Sequence, residues 1–160
     1  MKTWIATFFI AACAISTCAT GQNLVNPPAS CPAVNTLSNA HLYGQWLAQI
    51  DGEPGPASVQ FLKDPDQDDS LVGSINRALP VDPKAPKTPK GAAAKPALLA
   101  GDVQDGEFNL EESDDGVRIS ATWSGQLVAA SCGKEIKGIW TNALNDQTHP
   151  FVLRRQGGWQ

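Results

Sequence analysis

From Gly44 onward, apolar and polar residues alternate with a period of two, and glycines or acidic clusters break the alternation every six to ten residues. No window of helical length carries a 3.6-residue period. The clearest run is Val117-Arg118-Ile119-Ser120-Ala121-Thr122-Trp123, where Val, Ile, Ala and Trp share one face and Arg, Ser and Thr the other. Strands are expected near 45–50, 58–62, 71–76, 98–103, 107–111, 117–123, 127–132, 135–140 and 151–154, eight or nine in all. Gln104-Asp105-Gly106 and Asp114-Asp115-Gly116 separate neighbouring strands with the Asp-Gly pair of tight hairpins, because glycine accepts a positive φ. The pattern predicts an all-β antiparallel meander of about eight strands. With no helix to cover an edge, such a meander removes its exposed edges by closing into a small up-and-down barrel. A sandwich is the alternative architecture.

The chain has 160 residues. Its first 19 read as a charged start, the apolar run Trp4 to Ile15 and small residues, the order of a secretory signal. Residues 20–41 form a polar leader or tether, 42–155 the barrel domain, and 156–160 a short tail. About 100 residues remain for a core, enough for one modest domain and too few for a two-domain enzyme. Cleavage after Ala19 or Gly21 releases a protein whose two remaining cysteines, Cys31 and Cys132, are expected to form a disulfide in an oxidising compartment. The alternative is lipidation at Cys13, in the lipobox-like Ile10-Ala11-Ala12-Cys13, or at Cys18. The expected location is periplasmic or secreted, or the outer membrane for a lipoprotein. No window approaches the roughly 20 apolar residues of a transmembrane helix.

Composition adds one unusual feature. The net charge is -4, yet the segment 78–97 repeats Pro-Lys at Pro83-Lys84, Pro86-Lys87 and Pro89-Lys90 and ends with Lys95-Pro96. Hydrophobic burial cannot order it, so it reads as a disordered insert between the third and fourth strands. As polyproline II it would align Lys84, Lys87 and Lys90 along one edge roughly 9 Å apart, with Lys95 beyond them. Such a basic stripe fits contact with an anionic polymer, an anionic lipid or an acidic protein, and equally fits a solvated spacer. Acids gather at 64–69 and 111–115. An acidic body of this kind is not expected to bind nucleic acid.

Leu42-Tyr43-Gly44-Gln45-Trp46 at the first strand and Phe151-Val152-Leu153-Arg154-Arg155 at the last resemble the calycin superfamily of lipocalins, avidins and small bacterial inhibitor barrels. In that superfamily a Gly-x-Trp opens strand one, and a basic residue near the final strand packs over the indole. The resemblance implies that Trp46 with Arg154 or Arg155 plugs one end of a barrel. Ala121-Thr122-Trp123-Ser124-Gly125-Gln126 is also similar to the Thr-Trp-Ser-Gly-Gln stretch of bacterial avidins, which implies that Trp123 lines a ligand pocket. Ala48 stands where avidins carry the asparagine that bonds biotin.

Candidate chemistry is sparse. Asp64-x-Asp66-x-Asp68 has calcium-loop spacing, but Asp69 replaces the turn glycine and Ile75 the bidentate glutamate, so an acidic hairpin turn is expected. His41 and His149 are isolated, no Cys-x-x-Cys pair occurs, and neither metal nor cofactor is expected. Ser124, His149 and Asp146 could be named as a triad, but Ser124 lacks the strand-to-helix elbow of a serine nucleophile. Aromatic residues are the remaining signal. Trp123, Trp140 and Phe108 are the candidate lining of a small-molecule pocket inside the barrel, unless the rings simply fill it. The expected function is a non-enzymatic envelope module that holds a small or amphipathic ligand. The alternative is a protein-interaction module, such as an inhibitor of a protease or lysozyme acting through its loops, and a hydrolase ranks last.

Overall fold

The computed structural model describes residues 31–77 and 95–157. Eight antiparallel strands run in chain order: β1 (Gly44–Ile50), β2 (Ala57–Lys63), β3 (Leu71–Asn76), β4 (Ala97–Gln104), β5 (Glu107–Ser113), β6 (Ala121–Leu127), β7 (Glu135–Asn142) and β8 (Thr148–Arg155). Each pairs with the next, and β8 returns to β1, with Trp46 opposite Arg155 and Ile50 opposite Phe151. The meander therefore closes as a barrel and leaves no unpaired edge.

Alternation sets which residues face inward. Trp46, Ala48 and Ile50 of β1, Val59 and Phe61 of β2, and Phe108 and Leu110 of β5 are buried, while their neighbours in sequence are more exposed. The large rings form a continuous column. Trp46 meets Phe61 at 6.1 Å between centroids, Phe61 meets Phe108 at 6.0 Å, Phe108 meets Phe151 at 6.3 Å, and Phe151 meets Trp123 at 4.8 Å. Gly125 leaves room for Phe151, and its partner Gly138 lets β6 and β7 approach closely. A Cβ on Gly125 would lie 3.0 Å from the Phe151 ring and 2.6 Å from the Lys137 carbonyl oxygen, and one on Gly138 would lie 2.1 Å from the Ser124 oxygen.

Of the two expected Asp-Gly hairpins, one forms and one does not. Asp105 and Gly106 both have positive φ, 52° and 86°, and make the tight β4–β5 hairpin. Asp114-Asp115-Gly116 instead opens a longer loop, and the strand expected over 117–123 begins only at Ala121. The cause is local. Asp115 Oδ1 accepts the amides of Val117 and Arg118 at 2.9 and 2.8 Å, and Ser113 Oγ accepts that of Gly116 at 2.9 Å, which takes these groups from the ladder. The strand expected over 127–132 is likewise a 3-10 turn, Ala129–Ser131, followed by left-handed Cys132 and Gly133. Ser131 Oγ holds it by donating to the Val128 carbonyl at 2.6 Å and accepting the Glu135 amide at 2.9 Å.

Within the expected leader, residues 31–41 pack as part of the barrel's lower plug. Leu37 is buried there with Leu42. Asn39 bridges the plug to two other segments, donating to the Asp69 carbonyl at 2.9 Å and accepting the Val103 amide at 2.7 Å. Arg155 lies over the Trp46 ring at 5.7 Å and donates to the carbonyls of His41 and Tyr43, and burial pulls its pKa below the ordinary arginine value. Arg154 points outward to Glu135 Oε2 at 2.9 Å. A Cys31–Cys132 disulfide ties the start of this plug to the β6–β7 loop, with Cα atoms 4.8 Å apart. Among the described residues, no helix is long and apolar enough to cross a membrane.

Closing a loop of this length removes chain entropy from the unfolded state. Replacing both Cys31 and Cys132 by Ala should therefore lower the unfolding free energy by roughly 3–5 kcal/mol in urea titration. An unchanged midpoint would show that the link contributes nothing to stability.

Candidate functional site

The upper end of the barrel carries the loops at 51–56, 114–120 and 143–147, opposite the plugged end. Just inside it lies Glu112, only 2% exposed. The inward parity of Phe108 and Leu110 continues to this residue, so the chain delivers a carboxylate to an aromatic interior. Four donors meet it. Arg77 forks onto both oxygens, with Nη1 on Oε1 and Nη2 at 3.0 Å from Oε2. The indole nitrogens of Trp123 and Trp140 donate to Oε2 at 3.0 and 3.1 Å. Trp123 and Trp140 stand opposite each other across β6 and β7, which brings both indoles to one atom.

Arg77 is held from several sides. Its guanidinium lies 5.8 Å over the Trp140 ring, and its Nε is 3.8 Å from Glu53. Partial burial opposes its charge, but hydrogen bonds and charge from Glu112, with Glu53 and Asp114 behind, outweigh this and hold its pKa above the ordinary arginine value. His149, opposite Trp140 across β7 and β8, lies 5.8 Å from it between ring centroids. Among the described residues every buried side-chain nitrogen or oxygen has a partner.

The three aromatic candidates thus separate. Trp123 and Trp140 meet at Glu112, whereas Phe108 is fully buried between Phe61 and Phe151 in the ring column. Glu112 and Arg77 did not stand out in the sequence, where Glu112 read as part of an acidic turn cluster. The signal was its parity with Phe108 and Leu110.

Other candidates disperse. Ser124 faces outward on β6 while His149 faces inward on β8, so the two lie on opposite faces of the sheet. Asp64 turns its carboxylate onto its own loop, accepting the Asp66 amide at 2.8 Å, and Lys63 pairs with Asp68 at 2.8 Å. No group of three or more His, Cys, Asp or Glu is placed to hold a metal ion among the described residues. Lys95 is exposed ahead of β4, and Lys84, Lys87, Lys90, Cys13 and Cys18 lie outside the described residues.

The outer wall carries a second feature. Between the outward faces of β3, β4 and β5 and the 114–120 loop runs a groove of about 490 Å³ lined mainly by Leu62, Val72, Leu98, Val117 and Ile119. Val117 is 87% exposed and Leu98 51%, so the apolar surface lies open. Asp115 builds the wall of this groove. Its carboxylate takes the Arg118 and Val117 amides and the Arg118 guanidinium, which holds its pKa well below the usual carboxylate range. A comparison with known protein families and with characterised proteins finds no family and no relative that matches this chain.

Two predictions follow from these networks. Removing one partner of a buried ion pair strands the other, so Arg77→Met should cost roughly 3–5 kcal/mol in urea unfolding, while Arg77→Met with Glu112→Gln, which removes the stranded charge and keeps an acceptor for the two indoles, should recover most of that loss. A double variant no more stable than the single one would contradict the pairing. Because the folded pKa of Asp115 is depressed, the order it gives the loop outlasts acidification through its ordinary value of 3.8 and is lost only as pH falls through the lower folded value. Amide shifts of Val117 and Arg118 should therefore hold through pH 3.8, where a free aspartate titrates, and move only at more acidic pH. The same shifts should stay flat in Asp115→Asn.

Proposed function

We propose that this chain is a non-enzymatic, calycin-like binding module of the periplasm or extracellular space, and that it holds the apolar part of an amphipathic ligand in its outer groove. The observation that carries this reading is the exposed apolar lining, with Leu98, Val117 and Ile119 open on a folded barrel. Soluble domains rarely leave large contiguous apolar surface open unless something covers it, and the groove has the size of small-molecule pockets. The interior is the less favourable place. Its volume is taken by the column from Trp46 to Trp123, and its upper end by the Glu112 network. The disulfide supports an oxidising compartment.

A protein-interaction module acting through the upper loops is the second reading. It is favoured by Leu144, 93% exposed on the 143–147 loop, which is joined to the 114–120 loop by an Ala143 amide to Ser120 carbonyl bond of 2.9 Å.

Nile red, a neutral apolar dye, separates these readings. Wild-type protein should bind it, and Leu98→Asp and Val117→Asp should each weaken binding roughly tenfold, the cost of losing one buried apolar side chain. Leu144→Asp should leave binding unchanged. If Trp123→Phe abolished binding while Leu98→Asp did not, the ligand would lie in the interior. No dye binding, with a partner protein lost on Leu144→Asp, would favour the second reading.

A further inference from the structure

The outer groove is apolar along its floor and charged at its margin. Three charged residues line it, Glu111, Glu112 and Arg118. Arg118 is already engaged, with its Nε 3.0 Å from Asp115 Oδ2. Asp115 in turn is held by that guanidinium and by two backbone amides. Glu111 differs. It faces outward on β5, between Ala100 of β4 and Thr122 of β6, and its carboxylate has no hydrogen bond or ion pair among the described residues. Its neighbour Glu112 points the opposite way, into the barrel, and is neutralised by Arg77. Among the described residues that line the groove, the charge left without a partner is therefore negative.

The outward row Leu62, Val72, Ala100 and Glu111 runs across β2 to β5, so an alkyl chain lying along Leu62 and Val72 would bring its head group to Glu111. An anionic head would be repelled there, a neutral one little affected, and an ammonium attracted. We infer that the ligand of this groove is a small cationic amphiphile, a single alkyl chain with an ammonium head group placed against Glu111. This inference rests on the groove reading above and adds the ligand's charge. One solvent-exposed pair changes affinity by only about two- to fivefold, and salt screens it. The apolar surface supplies most of the affinity, and Glu111 supplies the choice among head groups.

Isothermal titration of the full chain with decyltrimethylammonium, decyl maltoside and decyl sulfate, each below its micellar concentration, tests this. At low salt the trimethylammonium probe should bind about two- to fivefold tighter than the maltoside, and the sulfate weaker than both. The preference should vanish in Glu111→Gln, which should leave maltoside affinity unchanged, and should shrink as salt rises toward about 0.15 M. Equal binding of all three probes, still weakened by Leu98→Asp, would overturn the charge assignment and leave the groove reading intact. Failure of all three to bind would sink the groove reading itself. A cationic preference that survives Glu111→Gln would also overturn the assignment. So would binding that emerges only after Lys84, Lys87 and Lys90 are replaced by Gln, since the chain's own basic segment would then be the occupant. A species of doubled mass that excludes the probe in native mass spectrometry would assign the groove to a second copy.

Discussion

Taking a carboxylate out of water into an aromatic interior costs several kcal/mol unless its lone pairs are met, and Glu112 is placed where that cost is unavoidable. It is met by a forked guanidinium and two indole N–H groups, and meeting it fixes all three partners. With its nitrogen held, Trp123 lays its ring against Phe151, and through Phe108 and Phe61 the column reaches Trp46 at the other end. The two ends then use one device. Each sets an arginine over a tryptophan, Arg77 over Trp140 above and Arg155 over Trp46 below. Below, the arginine is tied to backbone carbonyls of the plug; above, it is tied to a buried carboxylate.

This arrangement shifts the functional question to the outside of the barrel. A column of rings with its polar ends satisfied is a core, and a ligand entering it would have to break packing worth several kcal/mol. The outer wall of β3 to β5 requires no such disruption. Its apolar residues are open, and the loop that walls them is held in shape by Asp115. Preorganisation of this kind lowers the entropy lost on binding.

Much of the barrel was readable because its strands obey one rule. In β1, β2 and β5 alternation alone separates core from surface, and Asp105-Gly106 has the turn chemistry its geometry requires. The same rule misled at Val117 and Ile119. They continue the inward parity of Ala121 and Trp123, but the side chain of Asp115 captures the local amides and turns them into an exposed loop wall. Periodicity carries no information about such side-chain competition. Glu112 illustrates the opposite error, since a charged residue beside other acids invites a surface reading even when parity points it inward. Arg154 and Arg155 could not be told apart without the register of β8, where Arg155 shares the inner side with Phe151 and Leu153. The plug at 31–41 was unreadable for a different reason. Its hold depends on Asn39 reaching β4 and the β2–β3 loop, contacts between residues far apart in sequence.

The central claim is that the interior is filled and the binding surface lies outside. Intermolecular nuclear Overhauser effects from decyl maltoside to isotope-labelled protein test it most directly, since the neutral head group keeps charge out of the question. The account predicts contacts from the alkyl chain to the methyl groups of Leu98, Val117 and Ile119, and none to the rings of Phe108 or Phe151. Contacts to those rings, with the outer methyl groups silent, would place the ligand in the barrel and contradict it.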